Sequence, residues 1–352
     1  MPLKAVQFAS SSNASPHGEV KINNQHFKRK VAHLLSDMPI LPLLVVSFIL
    51  ATCFVPHFFT LYNLKNYLLQ SADLLIISCG LTFVVLNGGI DFSVTSVLAL
   101  GSVIGAYIMA QSPLAPTPAV SIPIAILVMM GIGVLVGWVN GLSVVKLKMP
   151  SFVATLATQL IVLGLAVQFA SMVSATSSIS GLPEAFFVLG GEGSFFFVPI
   201  VIAFSMWLFS HWLLERTIFG KRVYAVGVNP LTSFISGIPV RKTILTLMVI
   251  SGLFAGVASI IATARNQVGM ASLGDKMFLT TIASVIVGGT STAGGFGGVN
   301  KTLLGVLFIT LLNNAMNLLG VGWYTIMITL GTLIVVSAIA SYFLGKRRGD
   351  NT

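Results

Sequence analysis

The stretch NGGIDFSVTS, residues 87–96, puts a carboxylate at Asp91 between two long apolar runs of a chain that holds nine acidic residues in all. Two roles follow from that placement. Asp91 can accept the free N–H groups that open a helix, with Ser93 as a competing cap and Gly88 and Gly89 turning the chain sharply before it. The alternative is a gating or substrate-contacting role for a carboxylate within a membrane. A second segment, GFGGVNKT at 295–302, comes near the phosphate loop G-x-x-x-x-G-K-[ST], but Asn300 stands where the second glycine belongs. No buried parallel strand is expected before it. Lys301 therefore reads as an inner-surface anchor, and any ATP must be hydrolysed by another polypeptide.

Other candidates for chemistry are few. His17, His26, His33, His57 and His211 form no i, i+4 pair and have no carboxylate cluster beside them, so no metal or nucleophilic site is visible. Cys53 and Cys79 fall in apolar runs without disulfide or metal-knuckle spacing. An ion-coupled carrier would ordinarily carry ionisable residues in its spans, each costing about 2.5–3.5 kcal/mol. Only Asp73 and Asp91 come close, both near expected span ends. Backbone carbonyls can also bind sodium, so this class stays open as a rival. The amides Gln159, Gln168, Asn313, Asn314 and Asn317 either bond helix to helix or line a path for a neutral polyhydroxyl cargo.

The elements that must position these residues are membrane helices. Of 352 residues, 55% are hydrophobic and 8% charged, and the mean hydropathy is +0.97, far outside globular composition. Apolar runs of about 18 residues or more, each able to cross roughly 30 Å of hydrocarbon, recur from residue 39 onward. Spans are expected near 39–57, 66–86, 92–111, 120–144, 152–173, 195–214, 243–264, 277–290, 301–320 and 323–344. The fold class is an all-α polytopic membrane protein with about ten transmembrane helices. A polar tail, 1–37, precedes one membrane domain, 38–345, and a basic end, 346–352, follows it. The first apolar run is too long for a signal-peptide core and reads as an uncleaved span. Sixteen of the nineteen Lys and Arg residues fall on one side, leaving Lys65, Arg265 and Lys276 on the other. That bias makes both termini cytoplasmic and places Glu184, Glu192 and Asp275 on outer loops. The +10 charge is then a matter of topology and anionic lipid, with no nucleic-acid partner required. The Gly88-Gly89 break after the second span is echoed by Gly288-Gly289 after the eighth, as discontinuous helices beside a transport path can be.

The expected cytoplasmic loop 215–243 is the one substantial inner loop. Asn229 can cap a short helix there, Pro230 suits its first turn and Gly237 its end. The sequence of this loop, with Gly227-Val228-Asn229 and Ser236-Gly237-Ile238 after Thr217-Ile218-Phe219-Gly220-Lys221-Arg222, resembles the cytoplasmic coupling segment of ribose-type sugar permeases. These are membrane subunits of ABC importers. Asn140-Gly141, the run Pro150 to Leu156, the run Ile282 to Thr290, and NGGIDFS itself are similar to that family's motifs, in order over about residues 60–345.

The resemblance implies a subunit without a catalytic site or cofactor of its own, in the cytoplasmic (inner) membrane of a bacterium. Its implied partners are an ABC ATPase subunit that binds ATP, an extracytoplasmic solute-binding protein and a second permease copy or paralogue. The helix containing Pro230, Ser233 and Ser236, running to Gly237 and Ile238, would seat on the ATPase and carry its closure to the spans. The chain departs from the family pattern at Phe92, usually leucine, at Thr95, usually glycine, at Thr232-Ser233, usually an alanine pair, and at Phe278, commonly glutamate. A same-fold permease for branched-chain amino acids or nucleosides remains the second rival.

Overall fold

A computed structural model describes residues 40–275 and 277–349. The tail 1–37 with His17, His26 and His33, the residue Lys276, and positions 350–352 lie outside the described residues. Apart from a two-residue antiparallel pairing of β1 (Ser178–Ile179) with β2 (Gly269–Met270), the described fold is helical. In chain order the helices are α1 (Ile40–Phe54), α2 (Leu61–Leu86), α3 (Val94–Ala110), α4 (Pro118–Lys146) and α5 (Ser151–Val173). There follow the short α6 (Glu184–Phe187), α7 (Phe197–Arg216), α8 (Ile218–Val228), α9 (Pro230–Ile235), α10 (Val240–Asn266), α11 (Met277–Gly288), α12 (Val299–Leu318) and α13 (Trp323–Gly349).

Among the described residues, seven helical stretches are long and apolar enough to cross a membrane, and three apolar ones, Ile40–Phe54, Val94–Ala110 and Trp323–Ile339, are shorter. Outward faces stay apolar, with Leu43, Val46, Ile49 and Leu50 exposed on α1 and Leu160, Ile161 and Leu165 on α5. Surfaces of that kind are stable against lipid and not against water. The chain is therefore an all-α polytopic membrane protein.

The centre is α2, buried almost continuously from Ser71 to Leu86, with α10 packed along it. The tightest pair is α4 against α10. Gly133, Gly137 and Gly141 recur every four residues on α4; Gly133 and Gly137 face Gly252 on α10 and Gly141 faces Leu245, so the two backbones touch directly. A Cβ on Gly252 would run into the Gly133 carbonyl, and one on Gly137 into that of Met248. Lipid tails are as apolar as leucine side chains, so close backbone packing, and not exclusion from water, holds such a pair together.

Three expectations are corrected. The segment 215–243 is no open loop: α7 runs on to Arg216, Thr217 caps α8 by accepting the Gly220 N–H at 3.2 Å, and α9 and α10 follow. Asp73 lies twelve residues inside α2 and not near its end, fully buried against the guanidinium of Arg265 from the last turn of α10. Asp275 does not share an outer loop with Arg265. Gly269 packs on Ala106 and Ser102, whereas Gly274 packs on the backbone of Thr95, so residues 269–274 run back down the length of α3. At about 1.5 Å per residue, the step from Ser102 to Thr95 carries the chain roughly 10 Å along α3 between Gly269 and Gly274. Charge bias and hydropathy could not register this return, because its glycines and serines carry neither signal.

Gly252→Ala is expected to cost about 1–3 kcal/mol by overpacking and to lower the melting temperature of the detergent-purified protein. Gly131→Ala, where nothing lies within 4 Å of the added carbon, is expected to leave it unchanged or raised, alanine being the better helix former by about 1 kcal/mol. Identical melting of the two variants would contradict the backbone contact.

Candidate functional site

The break between α2 and α3 is the first part of the site. Helix α2 ends in a Schellman turn: Gly88 N–H donates to Val85 O at 2.8 Å and Gly89 N–H to Val84 O at 3.1 Å, with Gly88 at φ 74°. Helix α11 ends the same way, Gly289 (φ 104°) donating to Ile286 O and Thr290 to Val285 O. The echo seen in the sequence is thus geometric, with Gly88 equivalent to Gly289 and not to Gly288.

Asp91 follows the first turn, fully buried. Its Oδ1 accepts from Ser93 N–H at 3.0 Å and from the Ser93 hydroxyl at 2.6 Å, and its Oδ2 accepts from the Ser251 hydroxyl of α10 at 2.8 Å. Ser93 Oγ in turn accepts from Asn140 Nδ2 of α4 at 2.8 Å. Alongside, Thr155 at the start of α5 donates to Ile90 O at 3.0 Å. Five helices therefore converge on residues 90–93. This corrects the capping expectation: Asp91 satisfies the N–H of Ser93, which stands at the N-cap position of α3 without a side-chain cap bond, and not the N–H groups of the first turn.

The second part is a junction of backbones. A Cβ on Gly227, near the end of α8, would collide with Leu86 O and lie 2.7 Å from Gly295 N. Gly295 N–H donates to that same Leu86 O at 2.8 Å, and the Tyr224 hydroxyl of α8 donates to Gly297 O at 3.1 Å. Burial, helped by the neighbouring Glu215 carboxylate, pushes the Tyr224 phenol up to about 12, so it keeps its proton as donor at neutral pH. The segment that resembles a phosphate loop is thus a structural clasp between α8 and the end of α2. It follows the helix α11, not a strand.

From this clasp α9 projects outward. Asn229 Oδ1 accepts the Thr232 N–H at 3.0 Å, Pro230 is its first residue, and Gly237 at φ 80° closes it in a Schellman turn in which Ile238 N–H donates to Ser233 O. Leu231, Phe234 and Ile235 are 69, 69 and 77% exposed. Ser236 is also exposed, but Ser233 is 5% exposed and faces the protein.

The amides separate. Asn314 exchanges two hydrogen bonds with Asn63 of α2, both at 2.9 Å, so its work is helix pairing. Asn317 bonds the Asn313 carbonyl on its own helix, and Gln168 is exposed on α5. Gln159 alone of the five lines the cavity beside the start of α3, of about 190 Å³, walled by Thr95, Ser96, Gln159, Leu163, Gly274, Asp275 and Phe278. Sequence reasoning missed Ser251, Asn140, Tyr224 and Ser96. A lone serine in an apolar helix carries no signal until its partner is known.

Residues 63–337 match the family described as "Branched-chain amino acid transport system / permease component". The chain is 34% identical over 307 residues to the ribose import permease protein RbsC of Haemophilus influenzae, covering 87% of this chain and 93% of that one. It is 35% identical over 305 residues to RbsC of Bacillus subtilis, covering 84% and 89%. The chain belongs to the ribose-type permease family. It is also 31% identical over 306 residues to the L-arabinose transport system permease protein AraH of Escherichia coli, covering 86% and 89%. No solved structure matches it.

In this permease Asp91 accepts three hydrogen bonds. Asp91→Leu is expected to cost about 3–5 kcal/mol, because Ser93 and Ser251 lose a buried charged acceptor, and to yield little monodisperse protein. Asp91→Asn keeps one carbonyl acceptor and is expected to assemble. Equal yields of both variants on size-exclusion chromatography would show that the network carries no structural weight.

Proposed function

We propose that the chain is the membrane-spanning subunit of an ATP-binding-cassette importer for a monosaccharide or similar neutral solute. The observation that carries this reading is identity of 31–35% over more than four-fifths of the chain to permeases named for ribose and arabinose. The family description also admits branched-chain amino acids, the second reading; the sugar named in each of the relatives cited favours the first. Ten spans with both termini cytoplasmic fit the distribution of Lys and Arg, with the bacterial cytoplasmic membrane as the setting and lipid against the apolar outer faces. The spans form one domain, 38–345.

In this reading the subunit performs no catalysis and holds no cofactor. ATP is hydrolysed by a separate ATPase subunit seated on α9, whose Leu231, Phe234 and Ile235 offer an apolar surface on the basic side of the protein. An extracytoplasmic binding protein delivers the solute, and a second copy or paralogue of the permease completes the pathway. Gly227, Asn229, Pro230 and Gly237 fix the angle of α9, and the breaks at Gly88, Gly89, Gly288 and Gly289 allow the spans to respond.

The test is assembly with the ATPase produced together with this chain. Ile235→Asp is expected to abolish co-purification of the two and ATP-dependent sugar uptake, leaving the melting temperature of the permease within about 2 °C of wild type, as for a surface change within about 0.5 kcal/mol. Cysteine at Ser236 is expected to crosslink to the ATPase, and cysteine at the buried Ser233 to remain unmodified. Retained co-purification by Ile235→Asp would overturn the assignment of α9 as the contact.

A further inference from the structure

The cavity of about 190 Å³ lies where two helices begin inside the protein. One is α3, opening at Ser93 to Ser96 after the Asp91 break. The other is α11, opening at Met277 after residues 269–274 have returned along α3. Helix α11 has twelve residues, a length of about 18 Å, and makes up a membrane-crossing stretch only together with the preceding turn Ala271–Gly274, which lies along α3. Its far end is at Gly288, beside Lys301. The meeting point of α3 and α11 is therefore internal to the spans, the kind of place where discontinuous helices hold transported solutes.

The walls have a definite chemistry. Phe278 stacks on Phe92 with centroids 4.7 Å apart and planes at 30°, so the aromatic wall is held rigidly by its neighbour. Facing it are two buried hydroxyls and an amide: Thr95 and Ser96 are 5 and 1% exposed. Gln159 Nε2 lies 3.5 Å from Thr95 Oγ1, too long to use fully that donor's capacity. The Ser96 hydroxyl donates to Ser93 O at 2.8 Å, which leaves its lone pairs for a ligand donor. Asp275 supplies a carboxylate acceptor at the rim.

The space equals that of about six water molecules at ~30 Å³ each, enough for one small ring and not for an oligomer. Phe92, Thr95 and Phe278, scattered over nearly 190 positions of the sequence, meet at this one place.

We propose that this cavity is a solute-contact site within the permease, which selects among monosaccharides by stacking the apolar face of a sugar ring on Phe278 and bonding its hydroxyls to Gln159, Thr95, Ser96 and Asp275. The proposal rests on the import reading above and adds that the permease itself, and not only a delivering protein, discriminates between sugars.

The experiment uses the complete importer in lipid vesicles and follows uptake of radiolabelled D-ribose, D-galactose and L-arabinose at saturating binding protein, together with the ATP hydrolysis that the binding protein stimulates. Phe278→Leu and Gln159→Leu are expected to change the ratios of uptake among the three sugars by about tenfold, the scale of a small pocket change, with stimulated ATP hydrolysis kept within about twofold. Should Gln159→Leu fail to assemble, Gln159→Glu of equal size gives the same readout. Unchanged ratios in variants that still transport would overturn the site and leave the import reading intact. Parallel loss of uptake and of stimulated hydrolysis would mark a structural role and equally overturn it. A wild type that moves none of the three sugars would overturn the site as a selector among them and leave import of another neutral solute standing.

Discussion

Asp91 is a fully buried carboxyl group. A polar group in that position is tolerated only where hydrogen-bond partners come to it. Those donors arrive from different helices: Ser93 opens α3, Ser251 lies midway along α10, and Asn140, through Ser93, holds α4. The neighbouring Ile90 carbonyl draws in α5 through Thr155. The α4 and α10 backbones can then touch through their glycines, because their relative height is already set by two side chains that bond to the same small centre. Loss of that centre would free α3 to slide along both. The register of the central helices thus follows from where one carboxylate finds its hydrogen bonds.

Hydropathy made most of the fold legible. The expected spans 66–86, 152–173 and 301–320 lie within five residues of the ends of α2, α5 and α12, because long apolar runs broken by charge or proline leave little freedom of assignment. The cap of α9 was legible as well, since Asn229-Pro230 and Gly237 are local signals read within one turn. What escaped was long-range. Asp73 looked like a span-end residue because its partner, Arg265, is 192 positions away, and a buried ion pair has no signature within either helix. Helix α8 escaped because Thr217, Gly220 and Gly227 read as loop residues, when two of them are there to let backbones meet. The functional amides looked alike in sequence. Only the approach of Asn63 to Asn314, and of Thr95 to Gln159, separates the pairing role from the cavity wall.

The glycine clasp joins the short helix α9 to the central helices through backbone contacts. Displacement of α9 is passed to α8 through a single residue, Asn229, which is at once the C-cap of α8 and the N-cap of α9. At Gly227 the backbone of α8 rests on Leu86 O, the end of α2, and on Gly295, the loop leaving α11. No side chain lies between these backbones to absorb movement by changing rotamer, and packed interfaces of this kind shift between discrete arrangements and do not deform smoothly. Asp91 lies five residues beyond Leu86, and Phe278 lies on α11, the helix before that loop. In the import reading proposed above, a displacement of α9 would reach α3 through the Asp91 break and α11 through its C-terminal turn, the two helices whose starting ends form the cavity. A side chain at 227 or 295 would part these backbones, so the clasp closes only with glycine at both.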